Sequence, residues 1–352
     1  MKRVAVLGAQ VPFVRGGAEL LNESLVKEIN KLDGIQAELI QLPFKWYPEE
    51  QMLNDIAAWR LLDLSESCGK KIDLVIPTKF PTYAAQHSNK ILWLVHQHRV
   101  LYDLENTEFD YPEEIKRQSN SDIIRNKIRK IDVDFISESV KKYTIADNVT
   151  ARLQNFNGIR AETLYPPAPF ADKIVSGDYG DYVLFIGRIE KMKRADLLVK
   201  AMMLSSKKTK AYFIGTGSES DNLQALIEAN KLTDRCKMLG YVSEEELSNY
   251  LAHCKAVFYA PYDEDYGYAT IEAFLAKKPV ITCYDSGEVA TLVQNTESGF
   301  VVENKPEAIA HTLKKLYELS PSQLKKMARN GYDFAKSISW NNVLEKLVLE
   351  NI

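Results

Sequence analysis

The chain has 352 residues, more than one ordinary hydrophobic core accommodates and a length suited to two domains. With 45% hydrophobic and 26% charged residues it reads as an ordinary globular chain, and a net charge of -3 gives no overall attraction to nucleic acid or to a membrane. No apolar run is long enough to span a bilayer and the N-terminus passes straight into a strand, so a cytoplasmic location is expected. The cysteines, Cys68, Cys236, Cys254 and Cys283, lack metal-ligand spacing and read as reduced packing residues. No solenoid-period repeat or low-complexity segment interrupts the pattern.

Lys2 to Gly8 is an apolar run of the buried parallel-strand type. After a loop, Gly16-Gly17-Ala18-Glu19 opens a helix with Leu20, Leu21, Leu25 and Ile29 on one face, ended by Asp33-Gly34. This is a strand–loop–helix unit of a doubly wound sheet, but it contains no G-x-G-x-x-G. Gly16-Gly17 offers backbone amides to a phosphate, or is a plain tight turn. Further strands are expected at Ala37–Leu42, Asp73–Pro77 and Lys90–Val95, with a helix over Glu49–Leu64. The last of these strands delivers His96-Gln97-His98-Arg99 onto a loop, a polar cluster of functional type with no third metal ligand nearby in sequence.

Residues 102–120 are polar, acidic and without periodicity. Ile123 to Lys130 then carries Arg125, Lys127, Arg129 and Lys130, either a solvated face or a contact for lipid headgroups. Asp134–Ser137 reads as a strand, followed by helices from about Ser139 and over Asn148–Asn157. The stiff stretch Leu164-Tyr165-Pro166-Pro167-Ala168-Pro169 marks the domain boundary, giving domains at 1–165 and 166–335.

The second half restarts the pattern. Tyr182 to Gly187 is a strand, and Arg188 and Lys193 follow on a loop into a helix over Ala195–Leu204. A planar guanidinium and a compact ammonium together suit a diphosphate. Strands follow at Lys210–Ile214 and Cys236–Leu239, and Ser243 to Glu246 has the form of a capping box. Ala256–Ala260 is a buried strand that turns through Pro261 into an acidic loop and a helix from about Tyr268. Glu264 hangs from that loop, and Glu272 sits about one turn into the helix. The amides around Gly267 to Thr270 are unpaired at the helix start, and Gly267 lets a ligand approach the backbone. Val280–Cys283 and Phe300–Val302 complete the strands, and Lys314 to Ile352 is helical with breaks near Ser320-Pro321 and Ser337–Ser339.

Glu264 and Glu272 at eight-residue spacing, Tyr266-Gly267-Tyr268 between them, and Lys278-Pro279-Val280-Ile281 after them resemble the retaining glycosyltransferases of family four (group 1 glycosyltransferases), of the bacterial polysaccharide type. The resemblance implies an α/β chain of GT-B fold, two facing Rossmann-like doubly wound domains with a cleft between them. Residues 336–352 then form a last helix, with Trp340, crossing back to the first domain. It implies that Glu264 faces the donor sugar, Glu272 holds the nucleotide ribose, and Gly16, Gly17, Tyr268 and Ala269 lie beside the diphosphate. His96, or as second choice His98, contacts the sugar, and Tyr241 and Val242 lie beside the nucleobase. The family pattern G-R-x4-K is matched at Gly187, Arg188 and Lys193, but its Glu-Lys-Gly ending is replaced by Met192-Lys193-Arg194.

The expected activity is transfer of a hexose, best glucose, from a UDP-sugar to a glycan or lipid-linked saccharide, with retention, cytoplasmic or at the inner membrane face. Arg188, Lys193 and the helix-start amides would stabilise the departing diphosphate, which itself takes the acceptor proton in the mechanism proposed for the family. Asp263-Glu264-Asp265 resembles a metal-binding D-x-D but overlaps the Glu motif, so no metal and no cofactor are expected. The other readings are a UDP-sugar epimerase or phosphorylase on the same fold, and a non-catalytic nucleotide-sugar-binding subunit. Acceptor, linkage and oligomeric state are not legible.

Overall fold

The computed structural model describes residues 1–110 and 121–352, which divide into two compact units: Met1–Pro169 with Ser339–Ile352, and Phe170–Ile338. Part of the 102–120 stretch, residues 111–120, lies outside the described residues.

The first unit runs β1 (Lys2–Gln10), α1 (Gly17–Ile29), β2 (Ile35–Pro43), α2 (Glu50–Leu61), a small hairpin of β3 (Glu66–Ser67) and β4 (Lys70–Lys71), and β5 (Leu74–Pro77). It continues with β6 (Ile91–Leu94), α3 (Ser121–Ser137), β7 (Lys141–Thr144), α4 (Asp147–Asn157) and β8 (Glu162–Thr163). Parallel pairing gives the orders β2-β1-β5 and β6-β7-β8, and bridges from Val75 to Lys90 and Lys79 to His96 set the two sheets side by side. Val4 to Leu7, Leu74 to Ile76 and Ile91 to Leu94 are buried on both faces, which is why these strands are continuous apolar runs. Because β2 and β5 flank β1 on opposite sides, the direction of winding reverses between β1 and β5.

The second unit alternates strictly: β9 (Tyr182–Ile186), α5 (Ala195–Leu204), β10 (Lys210–Ile214), α6 (Ser220–Ala229), β11 (Cys236–Gly240), α7 (Glu244–His253) and β12 (Ala256–Phe258). Then come α8 (Tyr268–Leu275), β13 (Val280–Cys283), α9 (Glu288–Thr296), β14 (Gly299–Val302), α10 (Pro306–Glu318) and α11 (Pro321–Ser337). The six strands are parallel in the order β11-β10-β9-β12-β13-β14, so this sheet reverses between β9 and β12. Its core gathers Val183, Phe185, Leu198, Met202, Phe213, Phe258, Ile281 and Leu313. Ser243 accepts from the Glu246 amide and Glu246 returns to the Ser243 amide, the expected capping box. A final helix α12 (Trp340–Leu347) belongs to the first unit, where the Trp340 ring meets Trp93 edge-on at 6.4 Å.

Three sequence expectations are corrected. Asp134–Ser137 is not a strand but the end of α3, whose buried residues Ile124, Ile128, Asp132 and Ile136 recur every fourth position. Taken alone, that four-residue apolar run did not reveal its period. Where a helix was expected from about Ser139, the chain forms β7 instead, paired with β6 from Ile91↔Lys141. The basic residues of α3 do not share one face: Arg125 is 5% exposed and meets Glu49, Glu105 and Asp110, Arg129 meets Glu105, while Lys127 and Lys130 are exposed. Helix α9 and most of α10 went unread, and Cys68 sits exposed in the β3–β4 turn while the other three cysteines are buried.

Candidate functional site

In an open α/β sheet, ligands collect beyond the carboxyl ends of the strands where the winding reverses. In the second unit that point lies between β9 and β12, and the loop after each of these strands carries one of the expected charges. Lys193 closes the single helical turn Lys191–Lys193 after β9, and Glu264 stands on the loop after β12. Their side chains form an ion pair, both less than one-fifth exposed, and Lys193 Nζ also donates to the Tyr259 hydroxyl at 3.3 Å. Burial works against the Lys193 charge, but Glu264 outweighs it and holds the ammonium well above the ordinary lysine range. Burial, with the same Glu264 carboxylate, raises the Tyr259 hydroxyl, keeping it a neutral donor or acceptor.

Helix α8 starts beside this pair. Gly267 caps it at φ 83°, and a Cβ there would stand 2.8 Å from Val289 Cγ2 and 3.0 Å from Tyr259 Cε1, so only glycine fits the turn. The amides of Gly267, Tyr268 and Ala269 have no acceptor among the described residues, as a helix N-terminus dictates. Glu272 lies one turn into α8, 8% exposed and without a counter-charge among the described residues; burial pushes its carboxyl up to about 7.

The remaining expected residues are placed differently. Arg188, half exposed, turns to Glu190 at 2.7 Å and makes no hydrogen bond to the Lys193–Glu264 pair. Tyr241 is 87% exposed at the end of β11, where with Ser243, Glu244, Ser248 and Asn249 it lines an open groove of about 830 Å3; Val242 beside it is half-buried. A separate groove of about 490 Å3, lined by Tyr284, Val293, Gln323 and Met327, contains none of the expected residues.

In the first unit the reversal between β1 and β5 holds a comparable pair. Lys79 after β5 bonds Glu19 of α1 at 2.7 Å, both nearly buried, and Glu19 Oε2 accepts the Gly16 amide at 2.9 Å. The Gly16 amide is therefore already satisfied within the chain, unlike the expectation that both glycine amides await a phosphate; Gly17 is exposed as the first residue of α1. His96 is half-buried with Nδ1 2.7 Å from the Gln97 carbonyl. His98 packs against Phe44 and Phe80, and burial, His96 and Arg125 push it down to about 3, so it stays neutral.

Sequence reading missed Tyr259 as the third member of the cluster, since it looked like one more apolar residue of a buried strand. It also left Arg194 without a role. Among the described residues no three His, Cys, Asp or Glu side chains gather closely enough to hold a metal ion, Asp263-Glu264-Asp265 included. No described helix is long and apolar enough to cross a membrane.

Residues 171–334, nearly all of the second unit, match the family described as glycosyl transferases group 1. The D-inositol 3-phosphate glycosyltransferase of Mycolicibacterium gilvum is 24% identical over 173 residues, 47% of this chain and 38% of that protein. The O-antigen chain mannosyltransferase B of Escherichia coli is 29% identical over 168 residues, 46% of this chain and 43% of that protein. The chain thus spans less than half the length of these curated relatives. Among solved structures, sucrose-phosphate synthase from Thermosynechococcus elongatus superposes with a TM-score of 0.78 at 14% identity, over 98% of this chain and 97% of that one. HepE from Anabaena, solved in complex with UDP and glucose, does so at 0.70 and 15% identity over 99% of both chains. The two reversing parallel sheets, the charged loops after β9 and β12 and these matches agree: the second unit matches the group 1 glycosyltransferase family, and the chain that carries it has the GT-B fold.

Proposed function

We propose that this chain transfers a hexose, in the first instance glucose, from a UDP-sugar to a glycan or lipid-linked saccharide, with retention at the anomeric carbon and without a metal ion. The observation that carries the reading is the Lys193–Glu264 pair at the reversal of the second sheet, with the open amides of α8 beside it. The structural likeness to a protein solved with UDP and glucose supports the choice of donor.

On this reading the diphosphate lies against the N-terminus of α8, where unpaired amides and the helix dipole favour negative charge. Charge grows on the phosphate as the sugar–oxygen bond breaks, and Lys193 neutralises it in a site of low dielectric. Arg188 joins by leaving Glu190, an exposed pairing that costs little to break. Glu264 faces the sugar hydroxyls, and Glu272 accepts from the ribose. The leaving phosphate takes the acceptor proton on the same face, so the bond made and the bond broken need no separate protein base. The first unit is assigned the acceptor, while His96 is proposed to contact the donor sugar and the Gly17 amide the donor diphosphate.

Calorimetric binding of UDP, GDP and ADP in EDTA, followed by hydrolysis and transfer assays with UDP-sugars, tests the reading. Selective UDP binding and turnover of UDP-glucose in EDTA are expected. Preference for another nucleotide changes the donor, and turnover that disappears with EDTA and returns with manganese overturns the metal-free mechanism.

A further inference from the structure

Arg194 occupies a backbone conformation that a side chain ordinarily avoids. Its φ of 51° and ψ of 40° are left-handed, at the junction of the Lys191–Lys193 turn with α5. Such a conformation is costly for a non-glycine residue, so the side chain must return something to the fold. It returns five hydrogen bonds while remaining only 12% exposed. Nε donates to the Ala260 carbonyl at 2.7 Å and Nη2 to the Pro261 carbonyl at 2.9 Å, both on the loop after β12. Nη1 and Nη2 grip the two Asp285 carboxylate oxygens at 2.7 Å each, on the loop after β13, and Nη2 reaches Ser286 Oγ at 3.3 Å. Asn304 completes the arrangement, donating to Asp285 Oδ2 at 2.8 Å. Burial opposes the Asp285 charge, yet Arg194 and Asn304 hold its carboxyl below the ordinary range.

Of the three loops joined by this guanidinium, those after β9 and β12 present the site. Lys193 is the residue before Arg194, and Glu264 lies four residues beyond Ala260. The backbone repeats the tie: the Tyr262 amide donates to Met192 O, Asp263 to Asp285 O, Glu264 to Ser286 O and Glu288 to Glu264 O. A planar fork does what a lysine cannot here, fixing two loops in orientation as well as distance.

We infer that Arg194, clamped on Asp285, is the positioning residue that sets the separation of Lys193 and Glu264, and so governs turnover more than nucleotide affinity. The inference rests on the function proposed above. Nucleotide affinity draws mainly on the α8 amides and Glu272, which Arg194 does not touch. Catalysis instead needs Lys193 and Glu264 placed to within about 1 Å, a tolerance beyond which about a hundredfold in rate is lost.

Two variants of the full chain test it. Arg194→Gly relieves the left-handed backbone and removes the clamp, while Asp285→Asn keeps the shape and removes the charge. In both, turnover of a UDP-sugar is expected to fall about tenfold to a hundredfold, with UDP affinity within about threefold of wild type. Independently of turnover, Lys193 is expected to react about tenfold faster with an amine-acylating reagent, read by mass spectrometry, as it loses its fixed partner. An unchanged Lys193 labelling rate in both variants overturns the clamp, whether or not the wild type turns over a sugar donor. Parallel loss of UDP affinity, turnover and thermal midpoint also overturns it, reducing Arg194 to a plain structural role. A wild type that hydrolyses and transfers no donor overturns the proposed function instead, and the labelling rates still decide the clamp.

Discussion

Glu264 and Glu272, eight positions apart, end in opposite electrostatic surroundings: the first pairs with Lys193, and the second is buried on α8 without a counter-charge among the described residues. Two carboxyl groups of one motif are thereby given different chemistry. Glu264 lies against the Lys193 ammonium on the loop after β12, whereas burial pushes the Glu272 carboxyl up to about 7.

That difference predicts a pH-dependent nucleotide affinity. With its carboxyl pushed up to about 7, Glu272 is mostly protonated at pH 6 and mostly ionised at pH 8. If the ribose hydroxyls select the carboxylate, UDP affinity should rise about tenfold over that interval. Glu272→Gln should bind more weakly at pH 8 and lose this part of the pH dependence. Calorimetry on both proteins checks it, and identical pH profiles would remove Glu272 from the nucleotide site.

Lys193→Ala should reduce turnover by about a hundredfold or more, the usual cost of removing one donor aimed at developing charge. It also leaves Glu264 partly buried beside Tyr259 with its ammonium gone. Steady-state kinetics in EDTA separates this from a metal effect, since added manganese should not restore the lost rate.

Gly267→Ala should lower the thermal midpoint, because the alanine must both adopt φ 83° and displace Val289 from 2.8 Å. A loss of about 1–3 kcal/mol is expected from the strained backbone alone. Denaturant unfolding measures it, and a variant as stable as wild type would show that the α8 start is built differently.

Asp132 predicts how the first unit responds to pH. It is fully buried in α3, accepts from the Tyr102 hydroxyl at 2.6 Å, and is raised by burial from 3.8 to about 7. Its folded value lies above its unfolded one, so its contribution is complete below about pH 4 and is lost as the pH rises through about 7. The loss amounts to no more than about 4 kcal/mol. Urea unfolding at pH 5 and pH 8 should show the decline, and Asp132→Asn should flatten it.

Much of the second unit was legible from residue order alone. Ala195–Leu204 and Lys210–Ile214 were readable to the residue, because a strict strand–helix alternation leaves each period room to show. Helix α9 was not, since Gly287 and the polar Gln294 and Asn295 mask its short apolar face. Asp134–Ser137 misled for a related reason, four residues being compatible with either period until α3 supplied the other three turns.

By itself the sequence determined the doubly wound α/β class, the charges placed after the strands, and the glycine that Tyr268 needs before it. These follow from local period and local sterics, which neighbouring residues settle among themselves. Only the tertiary structure decided that Glu264 meets Lys193, 71 positions away, that Glu272 is buried without a counter-charge among the described residues, and that Arg194 ties three loops through Asp285, 91 positions away. Such pairings depend on which strands become neighbours in the sheet, and β9 lies beside β12 only because the winding reverses between them.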